Sequence, residues 1–413
     1  MFISLIMLFV RRLPGFFYYH RFTIVSCLFV LLTLFYFLIR WNFICTNAQA
    51  WMHVKRMCEL YAAGRAIGSV CAPLCTNDAI NNINCHSFRS TKEAVFSGEW
   101  HKTRLVFKTA ASEVHDLHWH DNGVVKYPTE AEFLSTVRAI VRNKFNITIS
   151  KDTAQRLSRL KPMYIETDVK KRQQELENIW MLIQDNEYLL SAIFSERDIF
   201  PQLLGTCGPY FAVEYLEPIQ GLSSFLTFEE NKEEWAIRLR TAIQIVELIE
   251  ELENSFQEPF HLCDIKLEHF GVVKEGSRMK FIDLVGVFPR SAINSIIKEL
   301  NACDVDDDCE FFDCRSTCDV KTHRCSNQVT NSNLQIVCEK IFLGWRMSNT
   351  VMIPGLLMTP HTPAELASIL RQCANPSSEF GKSRMAPDEE IKKRLYNILI
   401  EIEQSVTNDF YMS

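Results

Sequence analysis

The hydrophobic pattern changes character twice along the chain. From Phe22 to Ile39 eighteen residues pass without a charge, bracketed by Arg21 and Arg40, and eighteen apolar residues coiled as a helix just span a bilayer core. Thr23, Ser26 and Thr33 make no polar face, so the run does not read as an amphipathic core helix. Met1 to Val10 is also apolar but too short to span, and Arg40-Trp41-Asn42 is no small-residue cleavage site, so a signal anchor is preferred to a cleaved signal peptide. Beyond it, Ala50 to Arg65 has mild helical character that Gly68 and Pro73 break. From Glu93 the period becomes two: a strand to Trp100, a turn at His101-Lys102, and a strand Thr103 to Lys108, with Leu105 and Phe107 on one face and Val106 and Lys108 on the other.

The rest predicts mostly helices. Helical pieces flank Phe145 to Ile149, and one long helix from about Val169 to Phe194 carries a stripe of Leu176, Ile179, Ile183, Leu190 and Phe194. Two strands, one from Phe200 and one from Tyr210 to Leu216, meet at a Gly208-Pro209 turn. Trp235, Leu239, Ala242, Val246 and Ile249 then mark a further amphipathic helix. Leu334 to Trp345 predicts a buried helix, Thr362 to Cys373 a helix opened by a threonine cap and proline, and Pro387 onward a last helix with acidic residues in its first turn.

Composition and charge narrow the class. The chain has 413 residues, 47% of them hydrophobic and 11% aromatic, enough for a packed core and for more than one domain. A net charge of -6 supplies no basic field to gather a phosphate backbone, which argues against nucleic-acid binding. Fifteen cysteines say more: one lies in the apolar run and five crowd between Cys303 and Cys325. A zinc site needs paired short spacings with nearby histidines, and Cys71 to Cys75 and Cys314 to Cys318 alone have the spacing, so disulfides in an oxidising lumen are preferred. Arginines and lysines flank the run on both sides and barely decide its orientation. The cysteines decide it, giving a cytosolic segment 1–21, a membrane helix 22–39 and a body in the lumen of the endoplasmic reticulum or Golgi. The sequon Asn146-Ile147-Thr148 agrees with this.

Candidate chemistry centres on His261-Leu-Cys-Asp264-Ile-Lys266-Leu-Glu-His269-Phe-Gly-Val-Val273, followed by Met279-Lys-Phe-Ile-Asp283-Leu-Val285. An aspartate and lysine in a short loop, then a strand pair ending in a second aspartate, is how a protein kinase holds its catalytic base and metal ligand. Glu187 sits on the apolar stripe of its helix; it is either an edge glutamate reaching water or the partner of Lys108. No glycine at the sixth position and no alternating carboxylates fit a calcium loop near residues 140–155, so no calcium is expected there.

With these residues in view, the chain resembles the divergent protein kinase domain family, in its cysteine-rich type II membrane branch of the endoplasmic reticulum. The resemblance rests on Gly98-Glu-Trp100 ahead of Lys108, Leu203-Leu-Gly-Thr-Cys207, Cys263-Asp264 with Glu268-His269-Phe270, and the cysteine run 303–325. It implies an α+β bilobal fold: a cysteine-rich stem 41–85, an N-lobe 86–216 with a degenerate EF-hand-like insert near 127–165, and a C-lobe 217–413 carrying the cysteine-rich insert. It further implies ATP with magnesium or manganese, with Lys108 on the phosphates, Glu187 holding it, Asp264 accepting the substrate proton, Lys266 near the transferred phosphate and Asp283 on the metal. Four features depart from the pattern, one being Leu284-Val285 in place of Phe-Gly after the metal ligand. Residues 88–95 hold no glycine where a phosphate loop would lie, which leaves Lys92 as a side-chain substitute. Leu262-Cys263 replaces His-Arg. His269 stands where an asparagine would take the second metal, and magnesium prefers oxygen. Two expectations stand side by side: an active atypical kinase acting on a lumenal protein or glycan, and a pseudokinase that binds a partner or nucleotide. A disulfide-rich structural membrane protein is the third.

Overall fold

In the computed structural model the described residues are 21–40, 46–77, 79–85, 95–110, 116–121, 124–158, 168–219, 232–273, 278–300, 302–347, 350–378 and 381–412. They form two compact units, residues 1–112 with 205–212, and residues 113–204 with 213–413.

The first unit begins with helix α1, Arg21–Arg40. Its large apolar side chains from Val25 to Tyr36 are exposed, although among the described residues, whose side chains in this helix are Thr23 and Val25 to Tyr36, no helix is long and apolar enough to cross a membrane. Helix α2, Asn47–Ala62, starts at a capping box in which the Thr46 hydroxyl and the Gln49 side chain satisfy each other's backbone N–H groups. It buries Ala50, Val54 and Met57. A single helical turn, α3 at Cys71–Cys75, is tied to α2 through Cys58–Cys75 and to the sheet through Cys71–Cys207.

That sheet has five strands in the order β1 (Ile80–Cys85), β2 (Val95–Trp100), β3 (Thr103–Thr109), β7 (Tyr210–Glu214) and β6 (Leu203–Cys207). The β2–β3 turn places His101 and Lys102 both at positive φ, 48° and 67°, as the right-handed twist of a tight hairpin demands. Leu105 and Phe107 are fully buried while Val106 and Lys108 are half-buried, as the alternation predicts. Gly68 has a local reason: a Cβ there would sit 1.8 Å from the Thr206 carbonyl oxygen.

The second unit is mostly helical. After the small hairpin β4 (Trp119–Asp121) and β5 (Val124–Lys126) come α4, Glu130–Phe145, and α5, Lys151–Ser158. The single helix expected over 169–194 is two: α6, Val169–Ile183, and α7, Asn186–Ile193. Asp185 breaks it, because its carboxylate accepts from the Glu187 and Tyr188 N–H groups and starts a new helix. Helix α8, Lys232–Asn254, buries the whole predicted stripe from Trp235 to Ile249.

β8 (Glu217–Pro218) pairs with β10 (Phe270–Val272), which pairs with β11 (Met279–Phe281), and β9 (Phe260–Leu262) pairs antiparallel with β12 (Val287–Pro289). Helix α9, Arg290–Lys298, follows. The insert consists of two hairpins, β13–β14 (Glu310–Phe311, Cys314–Arg315) and β15–β16 (Cys318–Asp319, Arg324–Cys325), pinned by Cys303–Cys318 and Cys309–Cys325. The sulfurs of Cys303, Cys309 and Cys318 lie within 4.8 Å of one another, but all three are consumed in bridges. The acidic run of the insert is only partly solvated, since buried Arg384 pairs with Asp307 at 2.6 Å and Glu310 at 2.5 Å.

The helix expected over 334–345 spans Asn333–Ile336 and continues as a π-helix to Phe342. Trp345 instead lies in β17 (Gly344–Met347), paired with β18 (Thr350–Pro354). Gly344 ends the helix at φ +92°, where a Cβ would meet the Gly355 nitrogen at 2.3 Å. Helix α10, Ala364–Ala374, has Pro363 at its cap; the Thr362 hydroxyl does not cap it and donates to the Leu357 carbonyl at 2.6 Å. Cys338–Cys373 joins this helix to the π-helix, and α11, Glu389–Met412, closes the chain.

Candidate active site

Within the second unit the local order is strand, loop, strand, turn, strand. β9 delivers the chain to Asp264; a turn of 3-10 helix over Leu267–His269 carries it into β10; β11 ends just before Asp283. The hairpin register Phe270 to Phe281 brings His269 and Ile282 side by side, with the Ile282 N–H donating to the His269 carbonyl at 2.8 Å. Consequently the two aspartates, which are far apart in sequence, flank one histidine.

The Lys266 ammonium donates to Asp264 Oδ2 at 2.8 Å, and both side chains remain accessible. Burial alone would lower Lys266, but the Asp264 carboxylate outweighs it, with Glu268 and Asp283 adding, so its pKa is raised and it stays cationic. His269 is nearly buried. Its Nδ1 lies 2.9 Å from the Asp264 carbonyl oxygen, which only accepts, so this nitrogen is the donor. A neutral ring then turns the lone pair of Nε2 toward Asp283 Oδ2, 3.3 Å away. Two acceptors face each other favourably only across a proton or a cation. Aromatic Phe281 stands edge-on to the imidazole at 5.9 Å and fixes its plane.

Glu187 is 3% exposed, so the reading of an edge glutamate in water does not hold. It lies in the first turn of α7, and its Oε1 accepts from the Leu284 N–H at 3.0 Å, tying that helix to the residue after Asp283. Leu284 is buried where a kinase has phenylalanine. Gly286 packs against the loop so closely that a Cβ would lie 3.2 Å from the Asp264 nitrogen. Near β8, buried Lys280 donates to both Asp198 and Glu214. Neither Gly286 nor Lys280 carries a local sequence signal beyond glycine and strand-lysine.

Lys108 belongs to the first unit, opposite Val95 in the β2–β3 register. Lys92 and the segment ahead of β2 lie outside the described residues. Five of the expected site residues are thus in the second unit: Glu187, Asp264, Lys266, His269 and Asp283.

Comparison with known proteins places the chain at family level. The family model described as "Protein-kinase domain of FAM69" matches residues 179–376, which contain all five. A second model of the same family, "N-term cysteine-rich ER, FAM69", matches residues 14–159. The chain belongs to the FAM69 family. Its FAM69 kinase-like domain thus follows a cysteine-rich N-terminal region of the same family. Divergent protein kinase domain 2A of Xenopus tropicalis is 27% identical over 206 residues, which is 46% of this chain and 44% of that protein. The chain thus spans less than half the length of that relative. A solved structure, the complex of Rv3197 with erythromycin from Mycobacterium tuberculosis, aligns over 80% of this chain and 74% of that one at 12% identity, with a TM-score of 0.26.

Proposed function

We propose that this FAM69 protein is an atypical kinase of the secretory pathway, two-lobed, transferring phosphate from ATP to a hydroxyl of a lumenal protein or glycan. The observation that carries the reading is the cluster of Asp264, Lys266, His269 and Asp283 around one short loop, with Glu187 bound to the backbone after Asp283. Asp264 accepts the proton of the attacking hydroxyl; Lys266 offsets charge developing on the transferred group. Lys108 would take the nucleotide phosphates. His269 and Asp283 offer an imidazole nitrogen and a carboxylate oxygen to a divalent cation, a donor set that suits manganese better than magnesium. Such a cation, held by His269 and Asp283, would offset the negative charge of the nucleotide phosphates.

The membrane reading belongs to the same proposal. Helix α1 carries the uncharged run between Arg21 and Arg40, and its exposed apolar side chains would be matched by lipid. The disulfides among the described residues agree with a lumenal body in the endoplasmic reticulum membrane, as does the description of the N-terminal family model.

A nitrogen ligand at His269 favours a second reading, a pseudokinase that binds nucleotide or partner without transfer. Melting of the full chain in detergent, with ATP and magnesium or manganese, separates the two. Saturating nucleotide should raise the midpoint by about 5 °C, and Asp283→Ala should remove the rise. No rise in the parent protein sinks nucleotide binding altogether. A rise without phosphate transfer selects the pseudokinase.

A further inference from the structure

We propose that the cysteine-rich insert sets the position of the loop at Asp264, with Asp313 and Cys314 as positioning residues. The inference deepens the kinase reading and rests on it for the role of Asp264. In a kinase this loop begins His-Arg-Asp; here Leu262 and Cys263 precede the aspartate and bring no such anchor.

The structure supplies other anchors, and they converge on the residues either side of Asp264. Cys263 is bridged to Cys314 with a Cα–Cα distance of 4.9 Å. Its carbonyl accepts from the Asp313 N–H at 2.8 Å. On the far side of Asp264, the Ile265 N–H donates to Asp313 Oδ2 at 2.7 Å. Asp313 therefore grips the loop twice, once by backbone and once by side chain, while Cys314 adds a covalent bond.

Asp313 is itself held. The Lys340 ammonium reaches both of its carboxylate oxygens, at 2.7 and 3.0 Å, and Asn331 donates to its carbonyl at 2.8 Å. Lys340 lies on the π-helix, a form that recurs at functional sites. The β13–β14 turn is Phe312-Asp313, and Phe312 occupies the left-handed region at φ +54° with its ring 71% exposed. A phenylalanine is a poor residue for that backbone. Such strain persists where surrounding contacts over-determine it, and here it turns Asp313 inward beneath the loop.

The bland reading is that Cys263–Cys314 stabilises the unit in general, as Cys338–Cys373 does. A bridge of that kind gives no reason for a buried carboxylate on the Ile265 amide. The test compares four variants of the full chain: Asp313→Ala, the double Cys263→Ser/Cys314→Ser, the double Cys338→Ser/Cys373→Ser, and Asp313→Asn. Amide hydrogen exchange, phosphate transfer and melting are read for each. Exchange at residues 262–266 should rise about tenfold or more in the first two while α8 stays protected. Their kcat should fall by about tenfold or more with KM for ATP within about twofold. Asp313→Asn, which keeps an acceptor for the Ile265 amide, should restore much of the protection. The Cys338/Cys373 variant should melt earlier without local change at the loop. Unchanged exchange at 262–266, or a rise no larger than in the Cys338/Cys373 variant, overturns the proposal. Raised local exchange in a protein whose parent transfers no phosphate upholds the positioning and overturns the kinase reading.

Discussion

His261 shows how much one buried side chain can demand. It lies on β9, paired opposite Phe288, and is 7% exposed; its Nε2 finds no hydrogen-bond partner among the described residues. Burial, reinforced by the Arg290 charge, pushes its pKa down to about 4. The unfolded chain takes a proton near pH 6.5, so the folded form binds fewer protons between those values. Its stabilising contribution is present above about pH 6.5 and is lost as pH falls toward about 4, on the order of 3 kcal/mol in all. Half-buried Glu253, whose pKa is raised by its burial, acts in the opposite sense. A comparison with His261→Gln isolates the histidine: urea midpoints of the parent should fall faster between pH 7 and pH 4.5 than those of the variant. Parallel curves would refute it. Glu187, Asp264 and Asp283 were conspicuous in the sequence because acidic groups stand out on apolar elements. Asp313 was not. Its contact with the loop is made beside a bridge of sequence separation 51, inside an acidic run that reads as solvated surface.

Among elements, legibility followed how much each depended on its own residues. The α8 stripe and the β2–β3 alternation are local patterns, and both stand as read. The boundary between α6 and α7 was missed because the apolar stripe runs straight through it; the signal was the N-cap Asp185 itself. Trp345 fell on the wrong side of a helix end because an apolar run suits helix and strand equally, and only the crowding at Gly344 decides. The cap at Asp185 has a functional reach, since Glu187 occupies the turn it starts. Asp185→Ala should cost about 1 kcal/mol of stability, measurable by urea unfolding. It should also reduce the melting shift produced by ATP. A variant with lowered stability but a full ATP shift would uncouple α7 from the nucleotide site.

For the whole molecule, the proposed membrane topology is the decisive question. Asn146 ends α4 in the left-handed conformation at φ 53° and is exposed, so the sequon is accessible. Translated with microsomes, the full chain should gain one glycan, removed by endoglycosidase and abolished by Asn146→Gln. An unmodified chain would place the body on the cytosolic side and remove the proposed topology.

The collar of the first unit carries a consequence for biosynthesis. Among its bridges are Cys58–Cys75 and Cys71–Cys207, with separations of 17 and 136 residues. On a growing chain both Cys45 and Cys71 reach Cys58 before Cys75 does, and Cys71 waits long for Cys207, so the thiols Cys58 meets early are the wrong ones. A Cys58–Cys71 bond made early must be attacked again by Cys75 before the sheet can be closed. A chain that makes this bond early needs it reshuffled before the collar is complete, and a thiol trap applied during synthesis should catch the mispaired collar as a discrete species.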